Sequence, residues 1–297
     1  MRKEDRMTRI GIVGLGMLGH AVTKNLLDLK FQVTGYNRTA SKSKILEEYG
    51  LTIASSPKEV AEHSDLLIII VKDAEAVREV SFGENGIVKG NNQNLIVADM
   101  STIDPFESVE ISKKFKEFNI EKLDVPVMGG PNVAITGNLV MMASGHKESF
   151  EKSKKVLENI ANKVFYLGKS GTGHSVKLAM NLQITMLALA LSEGITFVKK
   201  SNVDPKLFLE ILNSTYFKTG MSEKKAYKMI DGKYEPTFTL ANLKKDISTI
   251  TNASKSMGIN LPMIHKAEEI YQQAIQNDLG QIDYTGIIEY ITRINNK

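Results

Sequence analysis

The stretch RIGIVGLGMLGHAVTKNLLDLK, residues 9–30, decides the fold. It opens with a short apolar run, Arg9 to Val13, that stops at glycine. It closes with Leu18, Val22, Leu26 and Leu29 at helical spacing. Between them, Gly14, Gly16 and Gly19 form the pattern G-x-G-x-x-G. Alone the pattern says little, but set between a strand and a helix it has a mechanical reading. Gly14 permits the tight turn, Gly16 lets an anion approach the backbone, and Gly19 lets helix and strand pack closely. Leu15, Met17 and Leu18 present their backbone to that anion, and the helix dipole favours a pyrophosphate there.

Working outward, short apolar runs alternate with amphipathic segments. QVTGYN reads as a second strand, and SKSKILEEYG as a short helix closed by Gly50. DLLIIIV and NLIVADMS are continuously apolar, as parallel strands covered on both faces should be. Further strands are expected at KLDVPVMG, NLVMMAS and KVFYLG, and none after residue 168. The fold class is therefore α/β: a Rossmann-type, doubly wound dinucleotide domain over residues 8–168, then an all-helical domain over 169–297. A long helix over about 173–200 connects them, and NVDP, DGKYEP and GINLP separate the later helices. The opening MRKEDRMTRI has no apolar core like that of a signal peptide and reads as a short disordered leader.

Composition narrows the function. The 38 Lys and Arg against 34 Asp and Glu leave a net charge of +4 over 297 residues, with no dominant basic patch, so nucleic acid is not an expected partner. Ser192 and Glu193 interrupt the longest apolar stretch, Leu182 to Val198, which reads as a buried helix rather than a membrane span. The chain has no cysteine, which removes disulfides, thiolate metal sites and a thiol nucleophile, and fits a reducing cytoplasm. No metal site is expected.

After the second strand, a fold of this kind binding NAD places an acid on the ribose 2′-hydroxyl. Asn37, Arg38 and Thr39 stand there instead, with Ser41 close behind. A guanidinium holds a phosphate through paired, charge-assisted hydrogen bonds. Asn37-Arg38-Thr39 therefore reads as a 2′-phosphate clamp, and NADP(H) as the cofactor. The plainer alternative is a solvated arginine in a turn.

Over about residues 8–290 the chain resembles the β-hydroxyacid dehydrogenases, whose members include 3-hydroxyisobutyrate dehydrogenase, tartronate semialdehyde reductase and glyoxylate/succinic semialdehyde reductases. Besides the cofactor fingerprint, four segments carry the resemblance in order: DMSTIDP, DVPVMGGPNVAITGNL, GTGHSVKLAMN and FTLANLKKDI. The resemblance implies an NADP(H)-dependent interconversion of a short β-hydroxy acid and its semialdehyde or keto form. It makes Lys177 the general acid/base and gives Asn181 the task of positioning substrate. Four apart, the two share a helix face, and His174 lies three residues before Lys177. A lysine moved from water into a cleft favours its neutral form, which suits proton exchange with an alcohol.

The resemblance also implies that Met128, Gly129 and Gly130 bind the substrate carboxylate. Two adjacent glycines leave backbone N–H groups open as a small anion nest. Met128 stands where the family commonly has Ser, so the substrate differs or the backbone alone holds the carboxylate. Ser101 and Thr102 would lie beside substrate and nicotinamide, and Val71, Lys72 and Asp73 would line the cofactor groove. The family often has proline at Lys72. Lys245 of the second domain would reach the cofactor, with Lys244 an open alternative. The C-terminal half is expected to resemble that of 6-phosphogluconate dehydrogenase, and the long apolar helix suggests a homodimer or homotetramer. A glyoxylate/succinic semialdehyde reductase is the nearest alternative activity. Lys177 argues against an imine reductase and against a non-catalytic NADPH-binding module.

Overall fold

The computed structural model describes residues 9–296; the expected disordered leader lies outside them except for Arg9 and Ile10. The chain forms two compact units, Met1–Lys177 and Leu178–Lys297.

The first unit begins β1 (Arg9–Val13), α1 (Met17–Asp28), β2 (Gln32–Tyr36), α2 (Ser41–Glu47), β3 (Thr52–Ile53), α3 (Pro57–Glu62) and β4 (Leu66–Ile69). It continues with α4 (Ala74–Phe82), β5 (Ile96–Asp99), α5 (Pro105–Lys116) and β6 (Glu121–Asp124). Six strands pair in parallel in the order β3-β2-β1-β4-β5-β6. Side chains of successive strand residues point to opposite faces, and both faces are covered. Leu66, Ile68, Ile96 and Ala98 enter one core, while Leu67, Ile69, Leu95 and Val97 enter another. That explains the continuous apolar runs. The strand order reverses at β1 and β4, and the glycine-rich loop leaves the carboxyl end of β1 at that switch point.

Beyond β6 the structure departs from a single continuing sheet. The segment KLDVPVMG, expected as one strand, is two. Pro126 has no N–H to give a ladder, and the chain crosses there to β7 (Val127–Met128). After α6 (Pro131–Ala134) come β8 (Leu139–Ala143), α7 (Lys147–Ile160) and β9 (Ala161–Tyr166). A second, three-stranded sheet runs β7-β8-β9, with β7 antiparallel and β9 parallel to β8. An isolated antiparallel bridge between Asp124 and Ser144 joins the end of β6 to the residue after β8.

The long helix α8 (Thr172–Lys200) begins in the first unit and continues into the second. It is followed by α9 (Pro205–Asn213), α10 (Gly220–Lys224), α11 (Ala226–Ile230), α12 (Leu240–Ser256), α13 (Pro262–Gln276) and α14 (Ile287–Ile294). Among the described residues no strand follows β9, as expected. Leu178 and Ala188 of α8 pack with α12, α13 and α14 in one core, and Leu191 and Ile195 pack with Leu209, Ala226 and Met229 in another. α8 is long and apolar enough to cross a bilayer by length and composition, and 44% of its most apolar 18-residue window is buried within the protein. It is not covered on every side: Val176, Met180 and Phe197 are exposed.

Candidate functional site

The glycine loop divides its labour. Gly14 has φ +104°, and a Cβ there would lie 2.1 Å from the Ile70 carbonyl oxygen; on Gly19 it would lie 2.0 Å from that of Gly14. Both glycines are demanded by the packing of the loop itself. A Cβ on Gly16 would meet nothing within 4 Å. Gly16 caps the N-terminus of α1 without a side-chain hydrogen bond, and the first turn carries no acid. This open, uncapped and uncharged helix end fits a dinucleotide pyrophosphate. Leu15 N–H is committed elsewhere and donates to Asn37 Oδ1 at 2.9 Å. Asn37 Nδ2 in turn donates to the Thr39 carbonyl at 3.0 Å, so Asn37 braces the loop against the end of β2. Met17, Arg38, Thr39 and Ser41 are exposed, and Leu18 is half-buried.

The next strand ends are tied together. Val71 N–H donates to Ser101 Oγ at 3.1 Å, and Ser101 N–H to Asp99 Oδ1 at 3.0 Å. Ser101 is buried, Val71 and Thr102 are half-buried, and Lys72 is exposed. Asp73 caps α4 by accepting from Ala76 N–H at 3.0 Å.

Met128 ends β7, and Gly129 turns with φ +117° into Gly130, the N-cap of α6. Lys177, half-buried on the second turn of α8, brings its Nζ to 3.3 Å from Met128 Sδ. The structure thus joins the proposed proton carrier to the glycine turn across 49 residues of sequence.

In the second unit, Asn181 is buried and donates through Nδ2 to Asp246 Oδ2 at 2.6 Å. Its Oδ1 accepts no hydrogen bond among the described residues. Lys245 Nζ stands 2.5 Å from Asp246 Oδ1, whereas Lys244 faces Glu268 at 3.9 Å. Of the two adjacent lysines, Lys245 therefore shares a charge network with Asn181. Asp246 was not foreseen as a site residue.

Nor was a cluster beneath the glycine turn. Lys122 and Asp124 occupy alternate positions of β6 and are both buried, with Nζ 2.6 Å from Asp124 Oδ1 and 3.4 Å from Asp99 Oδ2. Burial alone would raise the Asp124 carboxyl, but Lys122 and His174 outweigh it and hold it well below the carboxylate range. Burial opposes the charge on Lys122 as well, yet Asp124 and Asp99 keep that ammonium above its ordinary value. The signal for this cluster was the pattern Lys-x-Asp, which puts both side chains on one face of a strand.

Fold and loop together define a dinucleotide-binding protein. Residues 9–168 match the NAD binding domain of 6-phosphogluconate dehydrogenase, and residues 171–291 match the NAD-binding domain of NADP-dependent 3-hydroxyisobutyrate dehydrogenase. Glyoxylate/succinic semialdehyde reductase 2, chloroplastic, of Arabidopsis thaliana is 31% identical over 97% of this chain and 80% of its own. Mitochondrial 3-hydroxyisobutyrate dehydrogenase of Mus musculus is 29% identical over 96% of this chain and 87% of its own. The crystal structure of 3-hydroxyisobutyrate dehydrogenase from Salmonella typhimurium superposes with a TM-score of 0.84 at 25% identity, covering 95% of this chain and 99% of that one. The chain belongs to the β-hydroxyacid dehydrogenase family, and its chemistry is that of an NAD(P)-dependent hydroxyacid dehydrogenase or reductase.

Proposed function

We propose that the protein interconverts a short β-hydroxy acid and its semialdehyde or keto form with NADP(H), using Lys177 as general acid/base. The observation that carries this is the placement of Lys177 Nζ at 3.3 Å from Met128 Sδ, beside the Gly129-Gly130 turn. When bound, the nicotinamide supplies or accepts the hydride. In the reductive direction the Lys177 ammonium gives its proton to the carbonyl oxygen as that oxygen gains charge. In the oxidative direction the amine takes the hydroxyl proton. The backbone at Gly129 and Gly130 holds the substrate carboxylate, which keeps the reacting carbon within reach of Lys177. Asn181, whose amide is anchored on Asp246, offers its remaining Oδ1 as an acceptor for a substrate hydroxyl.

The choice of NADP(H) is supported by Arg38, exposed and without an ion pair among the described residues, and by the lack of any acid from Leu29 to Leu46. Thr102, Val71 and Lys72 complete the proposed cofactor groove of the first unit. The substrate is tested with a panel of C3 and C4 semialdehydes and hydroxy acids, including glyoxylate and succinic semialdehyde, followed by NADPH absorbance. Turnover on at least one carboxylate-bearing carbonyl is expected, with none on its uncharged analogue. Equal rates on charged and uncharged compounds would remove the carboxylate from the proposal.

The proposed assembly is a homo-oligomer. Phe197, Leu207, Ile211, Tyr216 and Phe217 of the second unit are each exposed, and covering such large apolar side chains would favour association. Sedimentation of the intact protein tests this, and a monomer at micromolar concentration would refute it.

A further inference from the structure

The buried cluster around Asp124 does no proton chemistry in the proposed reaction, yet it is built in unusual detail. Asp124 Oδ1 accepts from Lys122 Nζ and Ser108 Oγ, both at 2.6 Å. Oδ2 accepts from Ser144 Oγ at 2.8 Å, Ser170 Oγ at 3.2 Å and Gly171 N–H at 2.5 Å. The hydroxyl of Ser144 accepts the N–H of Gly173 at 3.0 Å. The N–H groups of Gly171 and Gly173 belong to the start of α8, where four donors lack partners within the helix. Glycine at position 171 offers no side chain to cap them. Asp124 and Ser144 therefore cap α8 from outside it, with a carboxylate at the positive end of the helix dipole.

His174 lies on this first turn and is fully buried. Its Nε2 is 3.6 Å from Asp124 Oδ1, and neither ring nitrogen makes a hydrogen bond among the described residues. Asp124 lies four residues before Met128, and His174 three before Lys177. Two segments, 124–128 and 174–177, thus run from the Asp124–His174 contact at one end to the Met128–Lys177 contact at the other.

We infer that Asp124, Ser144 and His174 are positioning residues, which set the height of Lys177 over the glycine turn by fixing the first turn of α8. This rests on the assignment of Lys177 as the proton carrier. Displacing a reacting group by about 1 Å costs about 10²-fold in rate, so a loose helix start is felt in turnover before it is felt in binding.

The test compares His174→Leu, His174→Gln and Lys177→Ala as full-length proteins, reading kcat, KM and NADPH affinity by fluorescence titration. His174→Leu is expected to lose about 10- to 100-fold in kcat, with NADPH affinity unchanged. His174→Gln, which keeps a polar N–H near Asp124, is expected to recover most of that loss. Wild-type kcat in His174→Leu, beside an inactive Lys177→Ala, overturns the inference and leaves the lysine assignment standing. An active Lys177→Ala overturns the lysine assignment itself. Parallel losses of kcat and NADPH affinity would mean that His174 supports the fold and not the lysine. If His174→Leu does not fold, Ser144→Ala puts the same question by removing the acceptor for Gly173 N–H. A kcat loss with NADPH affinity retained supports the inference, and an unchanged kcat overturns it.

Discussion

Met128 Sδ and Lys177 Nζ stand 3.3 Å apart, so the side chain at the head of the glycine turn touches the amine proposed to carry the proton. A thioether is a weak acceptor and cannot donate. It occupies the approach to Lys177 without competing strongly for its proton.

Met128→Ser is expected to change chain-length preference. The serine opens space and adds a donor, so kcat/KM for C3 acids should rise by about 1 kcal/mol, roughly fivefold, the scale of one net hydrogen bond. Activity on longer, more apolar acids that pack on the thioether should fall. Steady-state kinetics across acids of increasing length decide the matter, and a uniform change at every length would exclude Met128 as a determinant of specificity.

Arg38→Ala is expected to weaken the preference for NADPH over NADH by about 10- to 100-fold, the cost of losing charged hydrogen bonds. NADH kinetics should change little. The ratio of kcat/KM for the two cofactors is the measurement, and equal values in the unmodified enzyme would count against the clamp.

Asp246→Ala should leave the buried Asn181 amide without its acceptor and remove the carboxylate beside Lys245. A stability loss of about 1–3 kcal/mol is expected, together with a fall in kcat as Asn181 turns away from its present orientation. Asp246→Asn, which still offers an oxygen to Asn181, should recover most of the stability. Chemical denaturation and turnover of the two variants check both halves.

The buried cluster predicts a pH dependence. Asp124 titrates below its ordinary value of 3.8 in the folded chain, so it stabilises the fold above that pH and the contribution fades as pH falls through the lower range. Lys122 titrates above its ordinary 10.5, so its contribution is complete below that value and lost as pH rises past it. Lys122→Met strands two buried carboxylates and should cost about 3–5 kcal/mol near neutrality. The gap in Tm between wild type and variant should narrow in acid, below the carboxylate range. A gap that is constant with pH would mean that Lys122 contributes packing rather than charge.

Much of this was legible in the chain. β1, the glycine loop and α1 were readable because each residue type there has one mechanical use, and the glycine turn and Lys177 were readable as motifs. β3 was not: its two residues, Thr52 and Ile53, are both exposed and carry no periodic signal. The cluster of Lys122, Asp124 and His174 was obscured because charged residues in a strand usually face water, and only tertiary packing turns these inward. Asp246 escaped because its partner Asn181 lies 65 residues away, a distance no local pattern spans. Pro126 was visible, but a proline does not say which sheet the chain enters next.

That crossing at Pro126 has an evolutionary side. The dinucleotide loop hangs from the six-stranded ladder, while the glycine turn proposed to hold substrate hangs from the three-stranded one. Mutations in β7 and β8 can reshape what the enzyme accepts without disturbing the hydrogen bonds that hold the loop. In this architecture a lineage is free to change its substrate while inheriting its cofactor site intact, and the bridge at Asp124 and Ser144 is the seam along which the two histories are joined.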